Sequence, residues 1–128
     1  MDTINITPKE RYQLSKKGVP VVEVKKLMQK FQLSQKQMST LLSVSDKTLY
    51  SQLKEELIDQ QLSDRFLLIQ SVFAEGEEAL MSAETFRKWL DLPHRNFDDQ
   101  TPMTLLSTIN GAEAVRSELV RSKYGILS

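Results

Sequence analysis

The sequence FRKWLDLPHRNFDDQTPMTLLSTINGAEAVRSELVRSKYG, residues 86–125, contains several residues that typically start or end helices. It contains the single tryptophan, two of the four prolines and two of the four glycines. Between these residues, apolar side chains recur at the three- to four-residue spacing of amphipathic helices. The stretch therefore predicts three short helices: one that closes at Trp89 and Leu90, one that opens at Thr101, and one that opens at Asn110.

Each of the later helices has a capping signal. Thr101 can cap the second helix with Pro102 at its first position, where a missing N–H costs nothing. Asn110, followed three residues later by Glu113, resembles a reciprocal capping box for the third helix. Gly125 stands where that helix would end in a left-handed C-cap.

The first half of the chain has the pattern of a helix-turn-helix. Residues 1–17 are expected to form a loosely ordered arm with a helical turn from Pro8 to Leu14, and an amphipathic helix follows from Val21 to about Gln32. Ser34 and Ser45 look like the N-caps of two short helices separated by a turn of about three residues. A helical hairpin that serves only as core is the alternative.

The middle of the chain favours a buried helix. Apolar residues are frequent in residues 54–73, and Ser63 looks like the cap before the run FLLIQSVF. A buried strand across FLLI is the alternative. Residues 75–78, EGEE, are predicted to form a turn or short break, after which Ser82 is expected to cap a helix that reaches Leu90.

Composition places the chain among small globular proteins, because 40% of its 128 residues are hydrophobic and 27% are charged. There is no cysteine, which excludes a disulfide framework and a thiol nucleophile. No apolar run approaches the roughly 20 residues that span a bilayer, and the N-terminus lacks the apolar core of a signal peptide. We therefore expect a cytoplasmic protein without a membrane partner.

The first half of the chain is also the more basic one: residues 1–62 carry a net charge of plus three and residues 63–128 of minus three. If the second helix of the pair reads DNA, Leu49 and Leu53 must face the core. The predicted DNA contacts are then Lys36, Lys47, Tyr50, Ser51 and Lys54. Asp46 offsets one of these lysines, so we expect modest DNA affinity that pairing of two copies strengthens.

Two spaced patterns resemble a known family. WL-x-x-P, followed by T-P-x-x-L-L-x-T-x-x-G-A-x-x-V-x-x-x-L-x-R-x-x-x-G, resembles the C-terminal toxin-binding domain of Xre/MbcA/ParS antitoxins. The earlier pattern L-S-x-x-x-M-S-x-L-L-S-V-S-x-x-T-L is similar to helix-turn-helix repressors of the Xre type. The resemblance covers roughly residues 18–125 and is densest after Ser63.

Four residues depart from the family pattern. Ser39 stands where alanine is common, and Ser43 stands where glycine usually makes the turn, so this turn is expected to be reshaped or strained. His94 replaces the usual asparagine after the WL-x-x-P proline, and Asp99 replaces a glycine. The loop of residues 93–100 is therefore expected to differ in shape.

The resemblance implies a toxin partner. In these antitoxins the C-terminal segment reaches toward the active-site cleft of a RES-type toxin, an enzyme that acts on NAD. The predicted toxin contacts are Arg121, Tyr124, Gly125, Ile126 and Leu127. Chain ends are usually polar, so an apolar end favours docking, either into a partner or back onto this protein. Arg121 is also expected to pair with Glu118 or Glu113.

Other candidate sites have simpler explanations. His94 is the only histidine, and a transition-metal site needs more His or Cys ligands than the chain supplies. Asp98 and Asp99 are adjacent in a loop, where two carboxylates point differently and form no catalytic dyad. We expect no enzymatic activity, no metal and no cofactor. Trp89 is expected in the core, and Gly111 is expected to allow close helix packing.

These patterns predict an all-α protein with an N-terminal helix-turn-helix portion packed against a small helical toxin-binding domain. The predicted boundaries are an arm at residues 1–17, the helix-turn-helix at 18–62 and the toxin-binding domain at 63–128. The predicted function is that of a type II antitoxin, a homodimer that covers the active site of a RES-type, NAD-consuming toxin and represses its own operon. The alternative is a DNA-binding regulator without a toxin, in which the C-terminal region serves dimerisation.

Overall fold

The computed structural model describes residues 6–123, which form eight α-helices, one short 3-10 helix and no β-strand. The α-helices are α1 Pro8–Lys17, α2 Val21–Lys30, α3 Gln35–Leu41, α4 Asp46–Gln52, α5 Gln60–Ala79, α6 Ala83–Leu90, α7 Pro102–Leu105 and α8 Ile109–Lys123, and the 3-10 helix is Arg95–Phe97. The predicted all-α class is confirmed. None of these helices is long and apolar enough to cross a membrane.

The chain divides into two compact units between Ser71 and Val72, inside α5. The first unit contains α1 to α4 and the first part of α5, and the second unit contains the rest of α5 and α6 to α8. Each unit has its own buried apolar side chains, which include Val24, Met38, Leu41, Leu49 and Phe66 in the first, and Phe73, Phe86, Leu90, Leu106 and Val115 in the second.

The start of the chain is more helical than its sequence predicts. The backbone N–H of Thr7 donates to Glu10 Oε1 at 2.9 Å, and the N–H of Glu10 donates to the Thr7 hydroxyl at 3.1 Å. These hydrogen bonds form a capping box that starts α1. The bond that the Thr7 N–H donates to the Glu10 carboxylate is the main cause that lowers the pKa of Glu10. The hydroxyl of Ser15 donates to Asp64, so α1 is also fastened to α5. Residues 8–17 therefore form a helix where a loose arm was expected.

Four of the predicted helix caps are confirmed. In each, a side-chain hydroxyl accepts a hydrogen bond from the backbone N–H three residues later, which satisfies one of the unpaired donors at a helix start. The pairs are Ser34 with Gln37 at 3.0 Å, Ser45 with Thr48 at 3.0 Å, Ser82 with Thr85 at 3.0 Å, and Thr101 with Thr104 at 3.3 Å.

The predicted cap of the central helix is wrong, as is the strand alternative across FLLI. Helix α5 begins at Gln60, and Asp59 supplies the cap, because its Oδ1 accepts from the N–H of Leu62 at 2.9 Å. Ser63 is instead a fully buried residue of α5. Its hydroxyl accepts from the N–H of Val19 at 2.8 Å. Ser63 therefore ties the segment before α2 to α5.

The predicted break at residues 75–78 is also wrong, since α5 continues to Ala79. Gly76 lies inside the helix, and a Cβ on it would stand only 2.2 Å from Cε1 of Phe86. The glycine therefore provides room for an aromatic ring against the helix backbone, a tertiary role that its local sequence does not reveal.

The start of α8 combines one correction with one confirmation. The helix begins at Ile109, and its cap is Thr108, whose hydroxyl accepts from the N–H of Gly111 at 2.9 Å, so the predicted cap at Asn110 is wrong. Gly111 does allow close packing as predicted. A Cβ at this position would lie 1.8 Å from the carbonyl oxygen of Leu105, which is too close for any side chain.

Candidate functional site

Helices α3 and α4 form the predicted helix-turn-helix within the first unit. In the turn between them, the N–H of Ser43 donates to the Thr40 carbonyl at 3.1 Å, and the N–H of Val44 donates to the Ser39 carbonyl at 3.0 Å. Ser43 has a φ of 58°, in the left-handed region that glycine favours. The turn therefore carries strain of about 1 kcal/mol at its serine.

The second departure in this motif, Ser39, joins the two helices. Its side chain is buried, and its hydroxyl lies 2.5 Å from Asp46 Oδ1 and 2.8 Å from the carbonyl oxygen of Lys36. Asp46 is the first residue of α4, so the hydroxyl links α3 to the start of α4. An alanine at position 39 could not make this link.

All five predicted DNA-contact residues are exposed. Lys36 lies on the first turn of α3, and the other four lie on α4 or directly after it. Leu49 is fully buried as predicted, whereas Leu53 is partly exposed. The ammonium of Lys54 stands 4.3 Å from the ring centroid of Tyr50, close enough for a cation–π interaction that pairs these two side chains on one face.

Arg65, on α5, contacts the end of α3, and the sequence did not suggest this contact. Its Nε donates to the carbonyl oxygen of Leu41 at 2.9 Å, at the C-terminal end of α3, where a cation meets the negative end of the helix dipole. Partial burial lowers the pKa of Arg65. The two residues are 24 positions apart, so no local pattern could have indicated the contact.

In the second unit, residues 94–100 form a closed loop. The N–H of His94 donates to the Gln100 carbonyl at 3.1 Å, and the N–H of Asp99 donates to the His94 carbonyl at 2.9 Å. Asp98 and Asp99 both have positive φ, 54° and 65°. Asp99 therefore keeps, at the position of the family's glycine, a backbone conformation that suits glycine, and aspartate tolerates it better than most residues.

Aromatic rings hold this loop against α6. The His94 ring lies 4.8 Å from Trp89 and 5.5 Å from the buried Phe97, measured between centroids. Trp89 in turn stacks on Phe86 at 5.9 Å. Phe86 is fully buried but Trp89 is partly exposed, so the predicted core position of Trp89 is only half right. His94 is a packing residue of the loop.

The last turns of α8 carry Arg121, the one predicted toxin-contact residue that lies within residues 6–123. Arg121 is exposed, and its NH1 lies 3.9 Å from Oε1 of Glu118, the first of its two predicted partners. Glu113 pairs with Arg116 instead, at 3.1 Å. The other predicted contacts, Tyr124, Gly125, Ile126 and Leu127, lie outside the described residues.

Nearby, α5 and α8 are joined by charged side chains around a shallow groove. Arg116 Nε donates to Glu75 Oε2 at 2.7 Å, and Lys123 pairs with Glu78. Ala79, Leu119 and Val120 add apolar side chains to the lining of the groove. Among residues 6–123, no cluster of three or more His, Cys, Asp or Glu side chains could hold a metal ion.

A helix-turn-helix unit followed by a second small helical unit defines the class of this protein. Comparison with protein-family models gives two matches that lie end to end. The antitoxin Xre-like helix-turn-helix domain matches residues 10–71, and the antitoxin Xre/MbcA/ParS C-terminal toxin-binding domain matches residues 72–125. The chain belongs to the Xre/MbcA/ParS antitoxin family, and its role is that of the antitoxin in a toxin–antitoxin pair. A search of curated proteins finds no match.

Proposed function

We propose that this antitoxin neutralises a RES-type, NAD-consuming toxin by covering its active site with the end of α8 and the residues that follow it. The match of residues 72–125 to a toxin-binding domain carries the proposal. The exposed position of Arg121, two residues before the end of α8, supports it. The apolar side chains of residues 124–127 suit the largely apolar lining of an enzyme cleft.

In this proposal, burial of the apolar side chains of Ile126 and Leu127 supplies the binding energy. Burial of Ile126 and Leu127 would contribute about 1.5 to 3 kcal/mol each, before the entropy of ordering the segment is subtracted. A net gain of about 1.4 kcal/mol changes affinity tenfold, so these two side chains are sufficient to affect inhibition.

Deletion of residues 125–128 tests the mechanism. The truncated antitoxin should keep its helix content and its thermal unfolding midpoint, while NAD consumption returns in a mixture with the toxin encoded by the neighbouring reading frame. A truncated protein that still blocks the toxin at equal concentration would show that the chain end is not the inhibitor, and would direct attention to the loop of residues 94–100.

We further propose that the antitoxin binds its own promoter as a homodimer in the cytoplasm and represses its operon. The match of residues 10–71 to an antitoxin helix-turn-helix domain supports DNA binding, as do the exposed lysines of α3 and α4. One unit with so few basic side chains would bind weakly, and two joined units gain from effective concentration.

Paired lysine substitutions test this second role in a gel-shift assay on the chain's promoter. Lys47→Ala with Lys54→Ala should reduce binding by about tenfold or more and lower its salt dependence. Lys16→Ala with Lys17→Ala removes the same charge from exposed positions on α1 and is the matched control. Equal losses in both variants would mean that only net charge matters. If the neighbouring frame encodes no toxin while promoter binding persists, the regulator without a toxin becomes the better description.

A further inference from the structure

Glu118, in the middle of α8, is the only acidic or basic residue that is buried among residues 6–123. About 8% of its surface is exposed, although α8 presents much of its remaining surface to solvent. Burial of a charged side chain costs free energy unless partners compensate for the lost water, so Glu118 needs an explanation in its contacts.

A single oxygen of Glu118 contacts two separate parts of the second unit. Its Oε1 accepts a hydrogen bond from Nδ2 of Asn96 at 3.1 Å, and the same atom lies 3.9 Å from NH1 of Arg121. Asn96 belongs to the 3-10 helix in the loop of residues 94–100, and Arg121 lies one turn further along α8. Glu118 therefore connects the loop to the end of the helix.

Stability alone does not account for this arrangement. The salt bridge with the exposed Arg121 adds little to stability, whereas burial of the carboxylate costs free energy. What the carboxylate adds is a charged partner for Arg121, whose side chain remains 44% exposed, and a hydrogen bond to the loop. Asp98 and Asp99 are exposed on that loop.

We infer that Glu118 is a positioning residue that holds Arg121 and the loop of residues 94–100 together as one toxin-binding surface. The inference rests on the proposed binding of a toxin. The surface presents a guanidinium from α8 and two carboxylates from the loop, so it fits a toxin that offers an acidic group to Arg121 and basic side chains to the loop. The toxin contact then extends beyond the chain end.

A double-mutant cycle on the full-length antitoxin tests this inference. Glu118→Gln keeps the shape of the side chain and an oxygen for Asn96, but it removes the charge that orients Arg121. Calorimetry with the purified toxin of the neighbouring reading frame would give dissociation constants for the wild type, Glu118→Gln, Arg121→Ala and the double variant. Each single change should weaken binding, and the double variant should bind at least about threefold more tightly than additive effects require.

Glu113→Gln is the matched control, because it makes the same chemical change on an exposed residue of the same helix. Its binding should stay within about twofold of the wild type. Additive effects of Glu118→Gln and Arg121→Ala, or wild-type binding by Glu118→Gln, would overturn the inference. If Glu118→Gln unfolds, Asn96→Ala replaces it in the cycle, and additivity there is equally decisive. A wild type that does not bind the toxin would remove the proposed function itself, an outcome visible before any variant is made.

Discussion

The turn between α3 and α4 and the loop of residues 94–100 both contain non-glycine residues with positive φ, but they are stabilised differently. Each has a non-glycine residue with positive φ at a position where the family has glycine, Ser43 in the turn and Asp99 in the loop. The turn has one such residue between two capped helices. The loop has two in succession, and a backbone bridge, an aromatic row and the hydrogen bond of Asn96 hold it in shape.

In the turn, the backbone strain is confined to Ser43. In the loop, many contacts impose the backbone conformation of Asp99. Serine is not among the residue types enriched in the left-handed region, so the strain at Ser43 should lower the stability. Aspartate is several-fold enriched in this region, and the loop contacts determine its backbone, so the cost at Asp99 should be smaller. The stability of the loop should depend on the contacts of His94, Asn96 and Phe97, and the stability of the turn on its backbone conformation.

The largest expected effect comes from the anchor of the loop. Phe97→Ala should lower the free energy of unfolding by about 3 kcal/mol, because a nearly buried ring is removed and His94 loses a neighbour. Urea denaturation followed by circular dichroism measures the change. Val44→Ala, a partly exposed turn residue, is the comparison and should cost less than about 1 kcal/mol. Equal losses at both positions would contradict the distinction between loop and turn.

Trp89→Ala should have the next largest effect, about 2 kcal/mol, below the 3 to 5 kcal/mol typical of a fully buried tryptophan because this one is partly exposed. The wild-type fluorescence maximum should lie between the values for buried and for fully hydrated indole. A maximum at the fully hydrated position would show that the contacts with Phe86 and His94 do not shield the ring.

Ser43→Gly should stabilise the protein by about 0.5 to 1 kcal/mol, since relief of the strain exceeds the entropy that glycine loses on folding. The thermal midpoint should rise by about 2 to 4 °C. Ser45→Gly removes a cap in the same turn and should act in the opposite direction, so a rise in both variants would exclude strain at Ser43 as the cause.

Asp99→Gly should have the smallest effect, a change of no more than about 0.5 kcal/mol in either direction. The same denaturation measurement applies, and the size of this change relative to that of Ser43→Gly is the quantity of interest. A gain at Asp99 as large as the gain at Ser43 would show that the loop is strained rather than supported by its anchors.

Local patterns were sufficient to predict most of the helices. The caps at Ser34, Ser45, Ser82 and Thr101 depend on residues three positions apart, and the structure confirms them. Some errors arose where a local signal had a tertiary cause, whereas the capping box of Thr7 and Glu10 at the start of α1 is itself a local pattern. Gly76 resembles a helix breaker, but it makes room for Phe86, which lies ten positions later in another helix.

The contacts that shape the candidate surfaces were harder to predict. The hydrogen bonds of Arg65 with Leu41 and of Asn96 with Glu118 join residues 24 and 22 positions apart. Periodicity and capping rules, which use neighbouring residues, cannot predict them. The positive φ at Ser43 was within reach, because the family pattern has glycine there. The positive φ at Asp98 was not, since its neighbours in sequence carry no signal for it.

The early placement of Gly111 in α8 has a consequence for the chemical ageing of this protein. Asn-Gly pairs deamidate quickly in flexible chains, because the glycine nitrogen attacks the asparagine side chain and closes a succinimide ring. Here the N–H of Gly111 donates a hydrogen bond to the Thr108 hydroxyl at 2.9 Å, and Asn110 lies in the first turn of α8. The helix keeps the nitrogen from the side-chain carbonyl. A gain of one mass unit during storage would therefore record how often the first turn of α8 opens.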